Sequence, residues 1–195
     1  MTADGLVRLC ATIDRLNRRA GEAIRWLVPV ICIVTVMHGL SRRLFSLAWN
    51  HVSEAQWYMF AAMFMIGAGY TLLRDEHVRI DVLSRHFPPG LRDGIELTGH
   101  LGFLLPISAY LVWFTAGMFW VSLLQNEGPP DVVVGLPRWV LIGFMPAGFL
   151  LLGLQSLSQG LKAGLRLAGH RPEAIVTAGL DLARTPAAGP GHRLS

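Results

Sequence analysis

The sequence has little charge. Asp, Glu, Lys and Arg make up only 15% of its 195 residues, whereas hydrophobic residues make up 52%. An average soluble domain carries about 25% charged residues. The charges also gather in a few segments and leave long stretches with none. This pattern excludes an ordinary soluble domain, a disordered chain and a fibrous repeat, and it indicates an integral membrane protein.

Cysteine and catalytic motifs are scarce as well. The two cysteines, Cys10 and Cys32, form no CxxC pair, which argues against a disulfide framework or a zinc site. The sequence has no GxSxG, HExxH or P-loop motif. His38 and His100 fall at different depths of the predicted membrane helices, so they do not suit a shared haem. We predict a protein that is not an enzyme and that binds no cofactor or metal.

Four apolar runs predict membrane helices, because a span needs about 20 mostly apolar residues. They are residues 26–41, 55–73, 97–124 and 139–161. Pro106 lies inside the third run, where it predicts a kink. The predicted fold is therefore all-α, with four transmembrane helices.

Basic residues predict the orientation of these helices. Of the 17 Lys and Arg residues, 14 lie in the N-terminal segment, the loop between spans two and three, and the C-terminal tail. The other three are Arg42, Arg43 and Arg138. This bias places both termini in the cytoplasm. It also explains the net charge of +4 as arginines flanking membrane spans, so we predict no nucleic-acid partner.

The segments beside the spans carry amphipathic patterns. Residues 1–25 are predicted to be a cytoplasmic amphipathic helix on the inner leaflet, whose apolar stripe includes Leu9 and Leu16. Residues 42–53 are predicted to form a horizontal periplasmic arm helix. The membrane domain covers residues 26–161. Residues 162–195 are predicted to be a mobile cytoplasmic tail, because the end of the chain is rich in Ala, Gly and Pro.

The four predicted spans contain no Asp, Glu, Lys or Arg, and the sequence shows no internal repeat. A carrier usually has intramembrane charges, broken helices or repeated halves. We therefore expect the chain to assist a larger membrane partner. The charged segment 74–85 has two interpretations: a solvated turn, or an elbow in which Asp81 pairs with His77 and Arg85 at four-residue spacing.

Several motifs resemble one known family. Glu54 opens the second span, Gly67 and Ala68 lie near its end, and Arg74-x-x-His77-Val78-x-x-Asp81 follows. Pro88, Arg92 and Glu96 continue the pattern into the third span. Over residues 23–160 the chain resembles the small membrane subunit of TRAP transporters, the DctQ-like family. It departs from that pattern at Ala55, where a second acidic residue is common, and at Ala61 and Ala62, where a tryptophan is common.

The resemblance implies a multi-pass protein of the bacterial inner membrane with two protein partners. A periplasmic binding protein captures an organic acid such as a C4-dicarboxylate or a sialic acid. A large permease subunit then moves it, usually by sodium symport, while the small subunit extends the scaffold of the large one. The residues that we expect to contact these partners are Arg42, Arg43, Glu54, Arg74, His77, Arg79 and Asp81. A membrane electron-transfer subunit and a stand-alone membrane assembly protein remain as alternatives.

Overall fold

The computed structural model describes residues 3–45, 50–74, 89–125 and 137–168, and within these ranges it contains helices and no strands. The helices are α1 (Ala3–Arg25), α2 (Leu27–Phe45), α3 (Asn50–Leu73), α4 (Pro89–Leu97), a π-helical segment (Thr98–Leu104), α5 (Leu105–Gln125) and α6 (Arg138–Leu167). The all-α prediction is confirmed for the described part of the chain.

Three helical stretches are long and apolar enough to cross a membrane: residues 5–44, 93–125 and 138–167. They contain the first, third and fourth predicted spans. The second predicted span lies within α3, which is 24 residues long but begins with several polar residues. The count of four spans therefore stays a prediction.

The predicted arm helix over residues 42–53 is not seen as a separate element. Residues 42–45 form the last turn of α2, and residues 50–53 form the first turn of α3. Residues 46–49 between them lie outside the described residues. The arm helix therefore stays a prediction, since periodicity alone does not mark where one helix ends and the next begins.

Helix α6 is the centre of the fold. It packs against α3 and α5 along much of its length, and α1 and α4 contact it as well. The contact with α3 is close because residue 148 is a glycine: a Cβ atom there would lie 2.5 Å from the carbonyl oxygen of Met65. Small residues allow such approach between membrane helices.

The π-helical segment lies just before Pro106. The N–H of Leu105 bonds to the carbonyl of His100, five residues back, instead of four. Pro106 has no N–H to donate, so the regular α-helical bonding pattern is already interrupted at this point. The Ser156 hydroxyl of α6 also donates to the His100 carbonyl, at 2.8 Å. The sequence predicted a kink at Pro106, and the structure has a change of helix type beside it.

Burial in this protein is reversed relative to a soluble domain. Polar and small side chains lie inside, and among the fully buried ones are Asn17, Ser108, Gln155 and Ser158. Large apolar side chains lie outside, such as Ile33 on α2 and Trp113 on α5. Lipid can solvate apolar side chains, so the interior of a membrane bundle is free to hold small and hydrogen-bonding groups.

Candidate functional site

One end of the bundle, which the sequence predicts to be periplasmic, holds three of the predicted partner-contact residues. Arg42 and Arg43 are exposed in the last turn of α2. Glu54 is half-buried in the first turns of α3, one turn before the buried Tyr58. Glu54 and the exposed Arg138 at the start of α6 both act electrostatically on Tyr58. The structure thus brings Glu54 and Arg138 near Tyr58, beside the N-terminal end of α6.

At the opposite end, Arg74 follows the last turn of α3. Its Nε atom donates to the Tyr70 hydroxyl at 2.9 Å, and its guanidinium lies 5.4 Å from the centre of the Tyr70 ring. The Tyr70 ring in turn covers Gly21 of α1, where a Cβ atom would collide with the ring. Arg74 is exposed, so it still offers a surface to a partner. The other predicted residues of this end, His77, Arg79 and Asp81, lie outside the described residues.

Sequence reasoning missed a set of interacting side chains, Asp14 and Asn17 of α1 with Gln155, Ser158 and Lys162 of α6. We call this set the inner clasp, after the cytoplasmic side on which the sequence predicts it to lie. Lys162 forms an ion pair with Asp14, and these two side chains are 17% and 14% exposed. Asp14 also accepts hydrogen bonds from Ser158 at 2.9 Å and from Gln155 at 3.0 Å. One carboxylate therefore joins three residues of α6 to α1.

Asn17 completes the inner clasp one turn further along α1. Its amide nitrogen donates to the Gln155 side-chain oxygen at 2.9 Å. Its own side-chain oxygen is buried without a hydrogen-bond partner among the described residues and faces Gly69 of α3. A Cβ atom at Gly69 would lie 2.3 Å from this oxygen. The inner clasp thus fits Asn17 closely between α3 and α6.

The inner clasp changes the interpretation of α1. Its buried residues are Cys10, Ile13, Asn17 and Gly21, a stripe of mostly small or polar residues at helical spacing. Leu9 and Leu16, which the sequence analysis placed on the stripe that anchors the helix, are 41% and 48% exposed. Helix formation over residues 6–24 is confirmed, but the prediction of a helix resting on the leaflet did not include this packing against α3 and α6.

A second polar contact joins α4 to the same end of α6. The guanidinium of Arg166 lies 3.5 Å from the Asp93 carboxylate and 3.3 Å from the Glu96 carboxylate. Arg166 is 41% exposed, far more than either charged member of the inner clasp. Neither contact has a nucleophile and base in reacting geometry, and among the described residues no group of His, Cys, Asp and Glu side chains fits a metal ion. Their chemistry is that of fixing helices together.

Comparison with known protein families gives a match. Residues 31–163 match the family described as tripartite ATP-independent periplasmic transporters, DctQ component. No curated protein and no solved structure matches the chain significantly. The matched range runs from α2 to the end of the inner clasp in α6 and covers more than half of the chain. The chain therefore belongs to the DctQ family, a family of transporter components.

Proposed function

We propose that this protein is the small permease subunit of a TRAP transporter and that it scaffolds the large permease subunit during ion-gradient-driven uptake of an organic acid. It lies in the bacterial inner membrane with four spans and both termini in the cytoplasm. The membership of the DctQ family supports the subunit assignment. The excess of basic residues in the three segments assigned to the cytoplasm supports the orientation.

One observation carries the scaffold role. In the inner clasp, polar side chains of α1 and α6 hydrogen-bond to one another and hold these two helices together. A transport path instead needs polar groups that face a cavity and can exchange partners with a substrate. The charged residues of the chain also lie outside the four predicted spans. A rigid bundle without its own pathway is suited to supporting a second subunit.

The predicted partner-contact residues divide between the two ends of this bundle. Arg42, Arg43 and Glu54 are at the periplasmic end, where the binding protein delivers its ligand. Rim charges of this kind mainly set the encounter rate and the register of a complex. Arg74, His77, Arg79 and Asp81 belong to the cytoplasmic end, where we propose that the charged segment braces the loop or clamps it to the large subunit.

Co-expression with the cognate large permease subunit tests this function. We expect the large subunit to co-purify with an affinity-tagged form of this chain in detergent, at about one copy each. An absorption spectrum of the same sample distinguishes the proposed function from the electron-transfer alternative, because bound haem gives an intense Soret band. A haem band without any large subunit would overturn the proposed function.

Substitution of Asp81 tests the clamp at the cytoplasmic end. Asp81→Ala should reduce the recovered large subunit, because breaking a desolvated ion pair costs roughly 3–5 kcal/mol, whereas an exposed pair is worth about 0–1 kcal/mol. Asp93→Ala is the matched control, since Asp93 pairs with Arg166 within this chain. Equal recovery from both variants and from the wild type would show that the segment is a solvated turn.

A further inference from the structure

Helix α5 exposes polar aromatic groups at a depth where lipid offers no partner for them. Tyr110 is 68% exposed and Trp113 is 83% exposed. Tyr110 stacks on Phe114, with ring centres 6.5 Å apart. Among the described residues, neither the Tyr110 hydroxyl nor the Trp113 indole N–H makes a hydrogen bond. Buried Tyr and Trp side chains usually find a hydrogen-bond partner, and in membranes they favour the interfaces.

The depth follows from helix geometry. Tyr110 lies about 21 Å along the helix from Glu96, whose ion pair with Arg166 marks the inner end of the bundle. It lies about 22 Å from Gln125, the outer end of α5. The hydrocarbon layer is about 30 Å thick. Tyr110 is therefore close to the middle of the bilayer, and Trp113 is one turn away, so both are far from either interface.

The same face has an opening at its centre. Gly117 is exposed, and a Cβ atom added there would have nothing within 4 Å. Large exposed side chains surround it along the helix: Tyr110, Trp113, Phe114, Val121 and Leu124. On a membrane helix, an open small residue among large ones lets the backbone of a second helix approach closely. Acyl chains have no such requirement and no hydrogen-bond acceptors.

A shallow groove continues this face toward α6. It has a volume of about 450 Å³ and is lined by Phe114, Gly117, Met118, Val121, Ser122, Arg138 and Ile142. The Ser122 hydroxyl is buried, with a relative exposure of 3%, and has no hydrogen-bond partner among the described residues. The groove thus extends the open space beside Gly117 toward α6.

Helix α2 provides the contrast. Over residues 27–41 its large exposed side chains are aliphatic or Met, among them Ile33, Val36, Met37 and Leu40, and its exposed polar groups are the small Cys32 and Thr35. The large ones carry no hydrogen-bond donor, and the Thr35 hydroxyl accepts a hydrogen bond from the Gln56 amide at 2.9 Å. Its glycine, Gly39, is also exposed and open, with nothing within 4 Å of an added Cβ atom. The face of α2 is chemically suited to acyl chains, whereas the face of α5 is suited to a protein.

We propose that the face of α5 around Gly117 is the surface that receives a membrane helix of the large permease subunit. The partner helix approaches Gly117 closely and presents hydrogen-bond acceptors, such as backbone carbonyls or Ser, Thr and Asn side chains, to Tyr110 and Trp113. This inference rests on the proposed function and adds to it the surface and the chemistry of the subunit contact.

Matched glycine substitutions in the co-expressed complex test this surface. Gly117→Leu should lower the recovered large subunit at least tenfold, because the added side chain fills the opening. Gly39→Leu introduces the same side chain into an equally open site on α2 and should leave recovery within twofold of wild type. Each variant is first checked alone, by its membrane level and its thermal unfolding in detergent, because neither glycine touches another part of the chain.

A photo-crosslinking experiment tests the same α5 surface if Gly117→Leu does not fold. Benzoylphenylalanine replaces Trp113 on α5 or, as the control, Val36 on α2, and the crosslinked product is identified with an antibody to the large subunit. We expect a crosslink from position 113 and none from position 36.

The outcomes separate this inference from the proposed function. If the wild-type complex forms but Gly117→Leu leaves recovery unchanged, or position 36 crosslinks instead of position 113, the α5 surface is wrong and the proposed function stands. If wild-type protein recovers no large subunit at all, the proposed function fails and this inference fails with it.

Discussion

The C-terminal half of α6 holds two neighbouring helices by different means. It holds α1 through the inner clasp, in which Asp14 and Lys162 are 14% and 17% exposed and polar side chains surround the charges. It holds α4 through Arg166, which is 41% exposed and meets two carboxylates at 3.3 and 3.5 Å. A shielded network fixes its members far more strongly than a solvated pair does.

This difference indicates which helices are held firmly to α6. Helix α1 is tied to α3 and α6 by close packing and by a network that cannot be broken without leaving a buried charge. Helix α4 is held at the rim by the 41% exposed Arg166 and two carboxylates that are 19% and 14% exposed, so water reaches the cation of this contact. We therefore expect α1 to unfold together with the bundle, and α4 to separate from it more easily.

The largest expected effect comes from breaking the inner clasp. Asp14→Ala leaves Lys162 with little exposure and no counter-charge, and it removes the acceptor of Ser158 and Gln155. We expect a loss of about 2–3 kcal/mol in the free energy of unfolding, below the value for a fully buried pair because both groups keep some exposure. Reversible unfolding in mixed micelles measures it.

A second substitution separates charge from packing in that result. The double variant Asp14→Ala, Lys162→Met should recover at least half of the lost free energy, because it removes the unpaired charge and keeps most of the lysine stem. If the double variant is less stable than Asp14→Ala, the ion pair is not the reason for the loss.

The sequence could predict the helices but not the inner clasp, because the two rest on different signals. Helix positions follow from local patterns: apolar runs predicted four spans, three of which lie in membrane-capable helical stretches, and a periodic stripe predicted α1. The inner clasp depends on which face of α1 meets α6, across 138 to 148 residues of chain. The apolar stripe assigned Leu9 and Leu16 to the leaflet, and both are exposed, but it did not identify the face of α1 that meets α6.

A signal for the correct face was nonetheless present in the sequence. Polar residues recur at helical spacing on α6, at Gln155, Ser158 and Lys162, and on α1, at Asp14 and Asn17. In membrane helices such small or polar stripes mark the packed face. The partner-contact residues at the cytoplasmic end could not be compared in this way, since His77, Arg79 and Asp81 lie outside the described residues.

An intermediate effect is expected where α3 touches the inner clasp. Gly69→Ala places a methyl group 2.3 Å from the Asn17 side-chain oxygen and 3.2 Å from the backbone of Leu151. We expect a loss of about 1–2 kcal/mol from overpacking. Gly67→Ala on the same helix is the control, because nothing lies within 4 Å of its Cβ position. That variant should be neutral or slightly stabilising, by the helix propensity of alanine. Equal losses from both would contradict the close fit of Asn17.

The smallest effect is expected at the rim. Arg166→Ala should lower the free energy of unfolding by about 1 kcal/mol, because the guanidinium is 41% exposed although its partners Asp93 and Glu96 are 19% and 14% exposed. The difference from wild type should fall further in 1 M salt, where exposed charges are screened over about 3 Å. The Asp14→Ala loss should change little in the same salt. A salt-insensitive loss at Arg166 as large as that at Asp14 would remove the distinction between the two contacts.

The central claim is that this chain is a rigid support without a pathway of its own. Its most direct test compares three sets of proteoliposomes, containing this chain alone, the large permease subunit alone, or both. Each is supplied with the cognate binding protein and a labelled organic acid under an imposed sodium gradient. We predict uptake when both subunits are present and no uptake above protein-free liposomes from this chain alone. Gradient-dependent uptake by this chain alone would contradict the account.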